Sequence, residues 1–191
     1  MVYTRDAPDL FVAICGYFDA KSLSIQDARI HTTRHGWALD SFIVLLPEGA
    51  SDLRAQATLV EHELAERLKD PQAAAQAQPS RGGYFGRSRQ SRVSRVFPVM
   101  PQAELQPDER STSWRLSVTA TDRPGLLHAL ARVFAQHEVN LLMAKIMTLG
   151  DRVEDVFIVD GSTLARPRSQ MQFERDVLDA LAGEEAQQRV A

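Results

Sequence analysis

The chain has a single cysteine, Cys15, among 191 residues, so no internal disulfide can form and a reducing compartment is expected. No apolar run reaches the length of a membrane span and no signal-peptide pattern opens the sequence, so a cytoplasmic protein with no membrane partner is expected. Charge of one sign is also missing. Lys+Arg 22 against Asp+Glu 25 leaves a formal charge of -3, which argues against nucleic acid or an anionic membrane as partner of the whole chain. Gly82-Gly83 and Gly86 lack the Gly-Lys-Ser/Thr ending of a phosphate loop. Histidines do not converge on a metal: His31 and His35 share a strand face without a thiolate or carboxylate set, and His128 and His137 stand nine apart on a helix, pointing to roughly opposite sides.

What is present is organised around residues 114–127. Trp114, Leu116, Val118 and Ala120 alternate with Arg115, Ser117 and Thr119, the period of a half-buried strand. Leu126, Leu127, Leu130, Val133 and Phe134 then recur at helical spacing. The turn between them has Asp122 as N-cap, Pro124 in the first turn, and Gly125 leaving backbone amides open to an anion. Helix capping alone also accounts for such an acid, here and at Asp6.

The earlier part of the chain has the same plan. After Val2-Tyr3-Thr4, the turn 5–9 leads into a helical stripe of Leu10, Phe11, Ile14, Tyr17 and Phe18, ending near Lys21-Ser22. Cys15 lies on its apolar side and reads as a small core residue. Residues 23–34 and 37–46 form a hairpin turned by His35-Gly36. Ser51 is expected to cap a helix carrying Leu53, Ala57, Val60, Leu64 and Leu68, which Asp70-Pro71 stops. Residues 71–91 have the composition of a flexible connection, basic through Arg81, Arg87 and Arg89, and residues 92–100 return to strand character as a closing strand.

Laying Asp6 on Asp122 aligns Pro8 with Pro124, Leu10 with Leu126, Phe18 with Phe134, Ala28 with Ala144 and Ile30 with Ile146. One residue is lost in the hairpin turn, after which Asp40 and Phe42 fall on Asp155 and Phe157. An offset that slips only at a turn marks a duplicated unit. The second copy ends with a helix through Met171, Val177 and Leu181 to Gly183. It lacks a closing strand unless residues 102–106 take that edge, and residues 186–191 read as a frayed tail. Asp40 and Asp155, inside apolar strands, read as inward hydrogen-bonded groups or interface residues.

A duplicated βαββ(α)β unit with Asp-x-Pro-Gly-Leu-Leu at its elbow resembles the ACT domain, a ferredoxin-like ligand-sensing module. The expected fold is therefore α+β, with two ferredoxin-like βαββαβ ACT domains in tandem, at 1–70 plus 92–100 and at 101–185. Tyr3-Thr4-Arg5-Asp6, Asp27-Ala28-Arg29-Ile30-His31-Thr32-Thr33, Asp122 to Leu127, Ala144-Lys145-Ile146 and Glu154-Asp155-Val156-Phe157 resemble more closely the tandem ACT region of bacterial enzymes that uridylylate and deuridylylate the PII nitrogen-regulatory protein. The resemblance implies a glutamine sensor acting on upstream catalytic domains. Those domains are absent here, since there is no Gly-Ser motif followed by Asp-x-Asp and no adjacent His-Asp pair. No catalysis and no cofactor is expected of this chain, Mg belonging to the nucleotidyltransferase domain of such enzymes. Met1 falls where the repeat places the middle of a strand, so the chain reads as a fragment.

The expected sensor site is the second elbow. Asp122 would receive an amino acid's ammonium and the amides around Gly125 and Leu126 its carboxylate, with Arg123, Pro124 and Leu127 in the same motif and Asn140 reading a side-chain amide across a domain pair. The first elbow, Asp6, Asp9 and Leu10 with Ser24 at the Asn140 position, departs from the pattern. Asp9 stands where Gly125 stands and would repel a carboxylate, so the first unit is expected to bind weakly or to serve as pairing partner. Glutamine or another free amino acid, PII, the catalytic domains and a second copy through ACT pairing are the implied partners. Two alternatives stay open: the regulatory module of another amino-acid enzyme, and a protein-interaction module without a small-molecule ligand.

Overall fold

The computed structural model describes residues 1–46, 52–76, 99–109 and 112–183. Seven strands form one antiparallel sheet in the order β1-β3-β2-β6-β7-β5-β4: β1 Val2–Arg5, β2 Ser24–His31, β3 Trp37–Leu45, β4 Gln102–Pro107, β5 Trp114–Thr121, β6 Asn140–Leu149 and β7 Arg152–Asp160. Among the described residues five α-helices accompany them, α1 Leu10–Ala20, α2 Leu53–Arg67, α3 Pro71–Gln76, α4 Leu126–Gln136 and α5 Pro167–Ala182, with a short 3-10 turn at Ser162–Ala165.

Residues 2–67 and 114–182 run through the same order of strand, helix, two strands and helix, and the correspondence reaches single residues. α1 and α4 begin at Leu10 and Leu126, β2 and β6 at Ser24 and Asn140, β3 and β7 at Trp37 and Arg152. The left-handed residues Asp9 and Ser22 (φ 64 and 55) match Gly125 and Glu138 (φ 75 and 53). Even the bulges agree, between Ile25 and Asp27 in β2 and between Leu141 and Met143 in β6.

Strand alternation sends Leu116, Val118, Ala120, Ala144, Ile146, Val153, Phe157 and Val159 into one core with Leu130 and Phe134 of α4 and Phe173, Val177 and Leu181 of α5. A second core packs Leu10, Ile14, Tyr17 and Phe18 of α1 against Ala38 of β3 and Leu64 of α2. The two halves join twice. β2 pairs with β6 from Asp27↔Met147 to His31↔Met143, and α1 packs on α4 through Val12, Cys15 and Ala131. Cys15 is buried, and burial pushes its thiol well above the ordinary range, as suits a core residue.

Three expectations change, and one open choice is decided. Asp52, not Ser51, caps α2, its carboxylate accepting from the N–H groups of Arg54 and Ala55 at 3.0 Å. Residues 71–76, expected to be the start of a flexible connection, form α3, because Asp70-Pro71 stops one helix and starts the next. The Asp70 carboxylate accepts from the Ala73 N–H at 3.0 Å, Pro71 fills the first helical position, and Ala75 packs toward the α1/α4 contact. The edge for which no strand follows α5 among the described residues is taken by β4, paired with β5 from Gln102↔Thr119 to Pro107↔Trp114. An unpaired edge beside a buried face accepts a segment of weak alternation. Asp122 does not cap α4, whose N-cap is Gly125 without a side-chain bond. The strand expected over 92–100 lies mostly outside the described residues, and Val99 and Met100 are not in a strand. Residues 77–91 and the tail 186–191 also lie outside them.

Candidate functional site

The two elbows are built alike. Asp6 N–H donates to Gly36 O at 2.9 Å and Asp122 N–H to Asp151 O at 2.8 Å, tying each elbow to its hairpin turn. Leu10 N–H to Ala7 O and Leu126 N–H to Arg123 O, both 3.2 Å, close each turn, and Ala13 N–H to Asp9 O and Ala129 N–H to Gly125 O, both 2.9 Å, start each helix. The residue before each helix must be left-handed. Glycine supplies that at 125, while Asp9 is among the few L residues that tolerate it.

The first elbow opens on a cavity of about 270 Å3 that needs both halves of the chain. Asp6, Asp9 and Leu10 line it from the elbow, Asp40 from β3, Phe134 from α4 and Asn140 from the start of β6. Asn140 therefore joins the first elbow, and it can do so because β2 and β6 are neighbours in the sheet. Burial raises the Asp6 carboxyl above its usual range. Asp40 is 2% exposed; burial chiefly, then the nearby Asp6 charge, raises its carboxyl to about 6 against the pull of the His31 N–H.

At the second elbow Asp122 faces Asp155 as Asp6 faces Asp40. Burial raises the Asp122 carboxyl and carries Asp155, 3% exposed, to about 7. Arg123 reaches to α5, its Nη2 donating to Ala180 O at 2.5 Å, which satisfies a carbonyl of the last helical turn. Pro124 is exposed, Leu126 is buried in the core, and Leu127 packs against it. Ser24, at the start of β2, is exposed and accepts from Gln26 at 2.9 Å.

Sequence reasoning missed what faces Gly125. Asp19, in the last turn of α1, places both carboxylate oxygens 3.2 Å from where a Gly125 side chain would begin, and His128 Nδ1 lies 3.6 Å from Asp19 Oδ2. The signal was an acid at a helix C-terminus, where the dipole disfavours it. Besides Asp6 and Asp122, each elbow thus has a further carboxylate beside its helix N-cap, from the elbow itself at Asp9 and from the facing helix at Asp19. Gly125→Ala should cost about 1–2 kcal/mol in urea unfolding, through left-handed strain and the Asp19 contact together. An unchanged midpoint would mean that Asp19 and the turn relax freely.

His137 Nε2 lies 2.7 Å from Asp176 on α5 and His128 faces α1, so the two histidines do point to opposite sides of α4. Among the described residues no three His, Cys, Asp or Glu side chains gather in a way that could hold a metal ion, and no helix is long and apolar enough to cross a membrane.

Residues 114–172 match the ACT domain family model. Over all 191 residues the chain is 78% identical to the bifunctional uridylyltransferase/uridylyl-removing enzyme of Bordetella pertussis, of which it covers 22%. It is 54% identical over 182 residues to the enzyme of that name from Cupriavidus metallidurans and 50% identical over 182 residues to that from Burkholderia vietnamiensis, covering 20% of each. The chain therefore spans about a fifth of the length of these relatives. It contains an ACT domain at 114–172 and is, along its whole length, a homologue of one region of the bifunctional uridylyltransferase/uridylyl-removing enzymes.

Proposed function

We propose that the chain is the amino-acid-sensing regulatory region of a PII uridylyltransferase/uridylyl-removing enzyme, built as two ACT units in tandem, with glutamine as effector. The tandem reading is supported by the shared element order, the matched bulges and the matched left-handed residues. The sensor reading is carried by one observation, the cavity between the first elbow and Asn140. Its volume lies just under the roughly 300 Å3 at which small-molecule sites usually begin. It offers carboxylates for an ammonium and the Asn140 amide for a side-chain amide, while Asp9 at the start of α1 keeps a ligand carboxylate away from that helix end. The second elbow, with Asp122 and the Gly125 amide, is the related seat.

A ligand held between the halves favours one arrangement of them and so biases catalytic domains elsewhere in the longer enzyme. Uridylyl transfer and removal, and the Mg they need, belong to those domains. A second role in contacting polypeptide is favoured by the sheet face away from the helices, which exposes Tyr3, Leu39, Ile43, Met143 and Val156.

Calorimetry of the chain against the twenty amino acids, with Asp6→Ala and Asp122→Ala compared, tests the reading. Glutamine should bind, and Asp6→Ala or Asp122→Ala should weaken it according to the elbow used. Deleting the region from the whole enzyme should leave activity but abolish its response to glutamine. A flat trace with every amino acid, alongside retained binding to the catalytic fragment, would turn the reading to protein interaction alone.

A further inference from the structure

The cavity is lined by three carboxylates, Asp6, Asp9 and Asp40, and by no Lys, Arg or His. Asp40 is the buried one. Its Oδ1 accepts from the His31 N–H at a long 3.4 Å, and its other oxygen has no hydrogen-bond partner among the described residues. An asparagine would accept the same N–H without the cost of burying an ionisable group, so backbone satisfaction alone does not account for an acid here. The arrangement also occurs twice. Asp155 holds the same place on β7, accepts from the Met147 N–H at 3.0 Å, and faces Asp122 as Asp40 faces Asp6.

We propose that Asp40 is a ligand-binding residue, which with Asp6 receives the ammonium group of the ligand at the floor of the cavity. This rests on reading the cavity as an amino-acid site. It adds a residue of the third strand to the elbow and fixes the ligand's class as a primary ammonium compound, a metal cation being disfavoured by the absence of any metal-holding cluster among the described residues. Binding then has a proton balance. Below about pH 6 the Asp40 carboxyl holds its proton in the empty cavity. The incoming ammonium keeps its own three protons, the Asp40 proton passes to the buffer, and the carboxylate left behind pairs with the ammonium. The other titratable groups facing Asp40 are Asp6 and Asp9 from the elbow and Cys15 from α1; α4 and β6 bring none among the residues that line the cavity.

The experiment is calorimetry of the unaltered chain with glutamine at pH 5.5 and pH 8, each in two buffers of different ionisation enthalpy. The expected result is a buffer-dependent heat at pH 5.5 that reports proton release, little buffer dependence from this group at pH 8, and an affinity rising severalfold between the two. N-acetylglutamine, which lacks the ammonium, should not bind. Asp40→Asn should weaken glutamine at pH 8 by about tenfold or more and abolish the buffer dependence at pH 5.5. Binding with no proton release at pH 5.5, or undiminished binding of N-acetylglutamine, overturns the role of Asp40 and leaves the amino-acid site standing. Failure of the unaltered chain to bind any amino acid overturns both.

Discussion

Asp155→Asn is expected to raise the melting temperature of the chain at pH 8 and to leave it nearly unchanged at pH 4. Asp155 is 3% exposed on β7, and burial moves its carboxyl from the ordinary 3.8 to about 7. Below about pH 4 the folded and unfolded chains both hold this proton, and the group takes nothing from stability. Between about pH 4 and 7 the folded chain holds a proton that the unfolded chain has lost, so stability falls as pH rises, by up to about 1.4 kcal/mol per pH unit. Above pH 7 the full cost of ionising a buried carboxyl is present, on the order of 2–4 kcal/mol. Asparagine keeps an oxygen for the Met147 N–H and has no charge to desolvate. A gain of about 5–10 °C at pH 8 follows for a chain of this length. Equal shifts at pH 4 and pH 8 in calorimetric melts would show that the effect is packing and not ionisation. Asp40→Asn should behave likewise with its window ending near pH 6. A chain that keeps two such acids gives up stability at each, so backbone hydrogen bonding alone does not account for them.

Much of the fold was legible because two stretches of like pattern constrain each other's positions. The offset that lays Leu10 on Leu126 also places Asp40 on Asp155, and the structure puts both at the same point of their strands and buries both. Local chemistry misled where one signal serves two ends. Asp70-Pro71 reads as a helix stop, yet an acid followed by proline is equally a start, and the space beside α1 lets α3 form there. Asp122 suited an N-cap by type, but the left-handed turn at Gly125 moves the helix start three residues on. Gln102–Pro107 alternates too weakly to be placed by pattern, and its pairing follows from the open edge of β5. The cavity was legible only in outline: Asn140 was expected to reach across a domain pair, but that it shares a cavity with Asp6 depends on the β2–β6 register, a pairing of segments more than a hundred residues apart that no local period encodes. The acid facing Gly125 was hidden for the same reason, since Asp19 reaches it through the packing of α1 on α4.

Phe157→Ala is expected to cost about 3–5 kcal/mol, because it removes a fully buried ring. Phe157 meets Phe134 edge-on at 5.2 Å, and Phe134 in turn contacts Phe173, so the cavity left behind opens between sheet, α4 and α5 and cannot be filled by one side chain shifting. The loss should be felt across the whole chain. The β2–β6 ladder continues the sheet from one half into the other and α1 packs on α4, so the first half cannot keep its edge strand and helix layer intact when the second unfolds. The two tryptophans make this measurable, since Trp37 lies on β3 of the first half and Trp114 on β5 of the second. Trp37→Phe and Trp114→Phe backgrounds leave one reporter each, and in both Phe157→Ala should lower the urea midpoint equally, by a change far outside the error of extrapolation. A Trp37 midpoint that holds while the Trp114 midpoint falls would mean that the halves unfold independently. Their junction would then be too weak for a ligand between them to set their arrangement, and a sensor working through the cavity would have no rigid body to act on.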